Sequence, residues 1–139
     1  MLREIGMLGI LVLCLAGFAC SGVSTVEGTK QALNGHWVPD IEASKSVNSS
    51  VANNTGFQER LKTMVLELDM QKMTFILLDS EDEYAQDEST FTITSEEPGH
   101  IVILVDDYFT LSLGIKGDVL TVMGTEGDDR DNLLFNRRK

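Results

Sequence analysis

Between residues 63 and 138 apolar side chains recur at every second position, in short runs broken by acidic or glycine-containing turns. Met64, Leu66 and Leu68 alternate with Val65, Glu67 and Asp69; Met73, Phe75 and Leu77 alternate with Lys72, Thr74 and Ile76. Phe91 and Ile93 stand between Thr90, Thr92 and Thr94, at the end of a longer run that begins near Tyr84. Phe109, Leu111, Leu113 and Ile115 alternate with Tyr108, Thr110, Ser112 and Gly114, and Leu120 and Val122 with Thr121 and Met123. A last run over 132–138 turns Leu133 and Phe135 inward. A period of two sends successive side chains to opposite faces, which a strand does and a helix does not. Only HIVILV, residues 100–105, is apolar on both faces, and it predicts a well-covered strand.

The breaks between runs carry turn chemistry. They fall at Met70-Gln71, in the acidic stretch 79–83, at Pro98-Gly99, at Asp106-Asp107, at Lys116-Gly117-Asp118 and in the acidic stretch 126–131. Such short connections join antiparallel neighbours, whereas parallel strands need long crossovers. With an earlier strand at Trp37 the count is about eight. The expected fold is therefore mainly all-β: an antiparallel up-and-down meander, closed as a barrel or left as a strongly curved sheet. Eight strands can enclose a packed core or one small ligand.

What precedes the meander reads as delivery. An apolar run from Ile5 to Ala19 follows Arg3 and closes on small residues before Cys20. Its length suits an export signal better than a membrane-spanning helix. Residues 1–19 are expected to be a signal peptide and 20–34, small, polar and aperiodic, a flexible tether. Residues 35–139 make the β-domain. Small residues leading to a cysteine resemble a bacterial lipobox, in which Cys20 is lipidated and becomes the N-terminus. Cleavage after Ala19 without lipidation is the competing outcome. The chain has two cysteines, Cys14 and Cys20, so the mature domain is left with no disulfide.

Two short helices are expected ahead of the strands. Asp40 is placed to cap a turn over Ile41, Glu42 and Ala43, while Pro39 confines the Trp37 strand to an edge or an end. The Ser/Asn-rich stretch 46–55 favours turns, and is read as loop or frayed helix. Phe57 and Leu61, four apart, mark one face of a second helix that packs on an open end or a side of the sheet.

Charge excludes some partners. The net charge of −11 survives removal of the leader, because Arg3 and Glu4 leave together. A surface this acidic repels phosphates, so neither nucleic acid nor direct binding to anionic lipid is expected.

Gly35-x-Trp37 with Asp40 three positions on, a polar helical insert, the Met64-x-Leu66 and Met73-x-Phe75 strands and a terminal Leu134-Phe135-x-Arg137 together resemble lipocalin-like (calycin-like) small bacterial lipoproteins. The resemblance spans roughly residues 35–138. It implies that Trp37 packs across a barrel floor with Arg137 beside it, and that the interior takes a small apolar or amphipathic ligand. The site it suggests is Trp37, Phe75, Phe91, Phe109, Leu111 and Arg137. It also implies a monomer held in the cell envelope by its lipid, on an outer membrane facing the periplasm, or soluble in the periplasm or secreted if Cys20 is not lipidated.

Catalytic patterns are thin. The mature chain lacks a thiol nucleophile and a Gly-x-Ser-x-Gly elbow, and only His36 and His100 could act as a neutral-pH base. No enzyme and no cofactor are expected. The acidic runs 79–83 and 126–131 lack the spacing of a calcium loop, so no metal site is expected. Met64, Met70, Met73 and Met123 read as core or as a soft pocket lining. Between Asp79 and Glu97 there are eight acids and no base. That stretch reads either as a guard against edge pairing or as a docking face for a basic envelope partner. The two functional expectations are thus a noncatalytic ligand-binding domain and an envelope interaction module with a solid core.

Overall fold

The computed structural model describes residues 25–125 and 129–138, with 82–85 described in backbone only. The proposed signal, Cys20 and part of the expected tether lie outside the described residues.

Eight antiparallel strands follow one another around a closed barrel: β1 (Gly35–Pro39), β2 (Met64–Asp69), β3 (Thr74–Asp79), β4 (Asp82–Glu97), β5 (His100–Val105), β6 (Phe109–Lys116), β7 (Val119–Gly124) and β8 (Leu133–Arg137). The expected meander is borne out, and the ring shuts where Trp37 of β1 pairs with Arg137 of β8. The register sets apolar residues side by side on the inner face. Trp37, Leu66 and Leu77 form one row; Ile93, Ile103 and Leu111 a second; Leu113, Val122 and Leu133 a third. Burying a side chain of this size contributes about 1.5–3 kcal/mol. A slip of one residue would turn the serines and threonines between them inward, so burial pins the register.

Two turns show why their residues stand there. Asp106 and Asp107 both have positive φ (53° and 57°), and the Tyr108 N–H closes the turn on the Val105 carbonyl at 2.9 Å. Two left-handed residues in a row make the turn whose twist matches paired strands. Gly99, with φ 83°, serves the β4–β5 turn without a Cβ penalty.

The helices depart from expectation at Val26–Leu33, and Ser49–Asn53 resolves the loop-or-helix alternative at 46–55 as a short helix. Val26–Leu33, inside the expected tether, is an α-helix (α1) capped by Thr25, whose side chain accepts the Gly28 N–H at 2.9 Å. Its sequence lacks an apolar stripe, but Thr29 and Leu33 are fully buried against the barrel, so tertiary contact makes the helix. The folded body therefore includes Val26–Leu33, ahead of the expected start at 35. Within 46–55, Ser49–Asn53 forms a helix (α3) because Asn48 caps it, accepting the Ser50 and Val51 N–H groups. The other two are as read: α2 (Ile41–Ser44) capped by Asp40, and α4 (Thr55–Leu61).

The strand at 100–105 is corrected as well. It alternates after all, with Ile101, Ile103 and Val105 buried and Val102 and Leu104 half-buried outside. A closed barrel has no central strand, and its outer wall tolerates apolar side chains.

Candidate functional site

The two ends of the barrel are built differently. At the end where β1 starts, α1 lies across the opening and is tied to each turn it meets. The Thr29 hydroxyl accepts the Gly99 N–H at 2.7 Å, and the Asn34 carboxamide accepts the Met70 N–H at 2.6 Å. Arg137 does the rest. Its guanidinium donates to the Ala32 carbonyl (2.7 Å) and the Asn34 carbonyl (3.3 Å) and pairs with Asp118 at 3.0 Å. These are terminal helix carbonyls with no partner inside the helix, where a cation is favoured. The same guanidinium stacks 4.3 Å above the Trp37 ring, whose indole N–H donates to the Leu33 carbonyl at 3.0 Å. Trp37 is fully buried. This is the floor.

The opposite end is rimmed by the crossover between β1 and β2 and by the 3-10 turn Asp129–Asp131. Asn48 joins them, donating to the Arg130 and Asn132 carbonyls at 3.1 and 2.8 Å. Asp129 accepts the Ser49 N–H and hydroxyl. Beneath this rim lies a cavity of about 210 Å³ lined by Phe57, Met64, Phe75, Leu77, Phe109, Leu111, Val122, Leu133 and Phe135, with Arg130 and Asp131 as its polar lining. Phe57 brings α4 over the mouth, and the Arg60 guanidinium sits 5.5 Å from its ring.

A second, shallower groove of about 480 Å³ runs beside it, lined by Arg60, Thr63, Met64, Leu77, Leu78, Asp79, Gln86 and Asp87. Met64 and Leu77 belong to both. The inner space is smaller than the range of about 300–1,000 Å³ usual for small-molecule sites, whereas the groove falls within that range. An apolar interior beside a groove that carries Arg60, Asp79 and Asp87 suits a molecule with one apolar and one polar end.

Of the six residues anticipated for the interior, Phe75, Phe109 and Leu111 line the cavity. Trp37 and Arg137 lie in the floor below it, and Phe91 is packed in the core beside Val105 without reaching the lining. Alternation names all these side chains as inward and cannot say at which height the packing stops. The anticipated six left out Phe57, Met64, Leu77, Val122, Arg130, Asp131, Leu133 and Phe135. The i, i+4 pair of Phe57 and Leu61 held the signal for the first. Of the methionines, Met64 lines the cavity, Met70 is core, and Met73 is exposed.

The histidines lie outside the cavity. His36 meets Glu67 at 2.9 Å. His100 places its Nε2 against the Ser112 hydroxyl and its Nδ1 3.2 Å from the Glu97 carboxylate, the order of a serine–histidine–acid relay. It stands on the outer barrel wall, however, and Glu97 is 65% exposed. The strand carrying Ser112 is paired on both sides, which commits its backbone N–H groups to the sheet and leaves none to hold an oxyanion. Among the described residues no group of three or more His, Cys, Asp or Glu could hold a metal. Comparison with protein-family models, with curated proteins and with solved structures finds no match to this chain.

Proposed function

We propose that this chain is a noncatalytic binding protein that takes the apolar part of a small amphipathic molecule into the barrel through the Phe57 mouth. The observation that carries this reading is a cavity lined by nine apolar side chains above the buried Trp37, with a groove beside it that shares Met64 and Leu77 and carries Arg60, Asp79, Gln86 and Asp87. A solid core would leave no such space. The closed eight-strand meander and the Trp37–Arg137 stack also support the lipocalin-like resemblance. With it goes the rest of the proposal: export by residues 1–19, anchoring through a lipidated Cys20 and a place in the cell envelope.

Native mass spectrometry of the full chain, exported and purified gently, tests the binding. A reproducible adduct is expected, lost on denaturation and displaced by added long-chain amphiphile. Leu77→Trp, which fills the shared wall of cavity and groove, should abolish the adduct while keeping the fold. An adduct that persists unchanged in Leu77→Trp, or an apo mass that added amphiphile never shifts, would sink the proposal.

A further inference from the structure

The barrel wall is incomplete beside β4. Gln86 to Thr90 pair with β3, and pairing with β5 begins only at Phe91. The two halves of this strand therefore serve different neighbours in turn, and among the described residues the second edge of 86–89 meets no strand. Among the described residues, no element apart from β3 and β5 packs extensively on β4. Gln86, Asp87 and Glu88 are exposed. Alternation lapses here: Asp87 and Ser89 pair with Leu77 and Phe75, on the inner face, yet Asp87 is exposed and Ser89 only half-buried.

The β5–β6 turn forms the base of the gap. Asp106 accepts the Thr90 N–H through its carboxylate (3.1 Å) and donates its own N–H to the Thr90 carbonyl (2.8 Å), as a paired strand would. Above that point the place of β5 is vacant over four residues, roughly 14 Å of strand. Tyr108, 84% exposed, stands at the same turn.

We infer that this edge takes up an extended, positively charged peptide as an added strand. Unpaired backbone groups at an edge give affinity to any extended chain, and side chains select among them. Asp87, Glu88, Asp106 and Asp107 flank the gap, so a second copy of this chain, itself at −11, is repelled. A strand with lysine or arginine at alternate positions is attracted, and Tyr108 offers a ring face to one such cation. The inference rests on the strand edge and not on the cavity, although Gln86 and Asp87 also line the groove beside it.

The full chain labelled for amide exchange, titrated with an alternating lysine–valine hexapeptide, decides the matter. Saturable binding is expected, with new protection within 86–89. Methylating the peptide's alternate backbone nitrogens keeps its charge but removes strand donors, and should weaken binding at least about tenfold. Asp87→Asn with Glu88→Gln should weaken it as well, while leaving exposed positions that folding does not need. Equal binding of the methylated peptide would reduce the effect to charge alone and overturn the inference. So would absence of binding, or protection of 86–89 by self-association at high protein concentration.

Discussion

The floor and the mouth of this barrel use the same kinds of residue to opposite ends. At the floor an aromatic ring, a guanidinium and helix carbonyls are stacked until nothing remains open: Trp37 is fully buried and Arg137 satisfies two terminal carbonyls of α1. At the mouth an aromatic ring and a guanidinium meet again, Phe57 beneath Arg60, but 5.5 Å apart and over an apolar cavity. The first arrangement is stability. The second leaves apolar surface without partner atoms, which lowers stability and leaves the space that the proposed ligand would fill. One short barrel thus separates the two tasks along its axis.

The sharpest way to break this comparison is to truncate one aromatic residue at each end. Trp37→Ala should cost about 3–5 kcal/mol, the range for emptying a buried large side chain. That is a large fraction of the roughly 5–15 kcal/mol by which domains are stable. Phe57→Ala, half-buried at the rim, should cost only about 1 kcal/mol. Urea midpoints at equal slope read the difference. Equal losses at the two ends would mean the mouth is as structural as the floor.

A smaller effect sharpens what holds the mouth together. Asn48 is 1% exposed and uses both ends of its carboxamide, donating to the Arg130 and Asn132 carbonyls and accepting the Ser50 and Val51 N–H groups. Asn48→Ala leaves these groups to find water and should cost about 2 kcal/mol. Amide exchange should rise in α3 and at residues 129–132 while α1 keeps its protection. Exchange rising equally in α1 would show that floor and mouth open as one unit.

The same contrast explains what could be read from the residues alone. Strand alternation survives wherever one face meets core, so the eight runs, their order and most inward residues were legible. Asn48 was legible only as a turn former, since its partners lie more than eighty positions away. Val26–Leu33 was read as tether because its helix depends on Thr29 and Leu33 fitting between turns remote in sequence. Depth was hidden too: Phe91 and Phe109 share a row and a residue type, yet only Phe109 reaches the cavity. The gap beside β4 had a trace in its acidic, polar run, where alternation lapses between Tyr84 and Ser89. Composition alone could not tell a lapse in the wall from a long turn.

The smallest expected effect concerns how α1 is held from outside. Lys30 reaches Glu96 at 2.9 Å, and this hydrogen bond, only partly offset by desolvation, raises its pKa above 10.5. A raised pKa in the folded state means that the ammonium is bound more tightly there than in the unfolded chain. The contribution is therefore complete below 10.5 and lost as pH climbs through the folded value. Neutral and mildly basic solutions should show no change from this group. The melting temperature of the native chain should exceed that of Lys30→Met by a constant small margin up to about pH 10, and the margin should close above it. A margin that instead persisted to the highest pH would mean that the methylene stem of Lys30, packed along the wall, holds the helix rather than its charge. In that case Lys30 would add apolar packing to a floor whose polar ties are those of Thr29, Asn34 and Arg137, and the outer ion pair would play no part in the difference from the mouth.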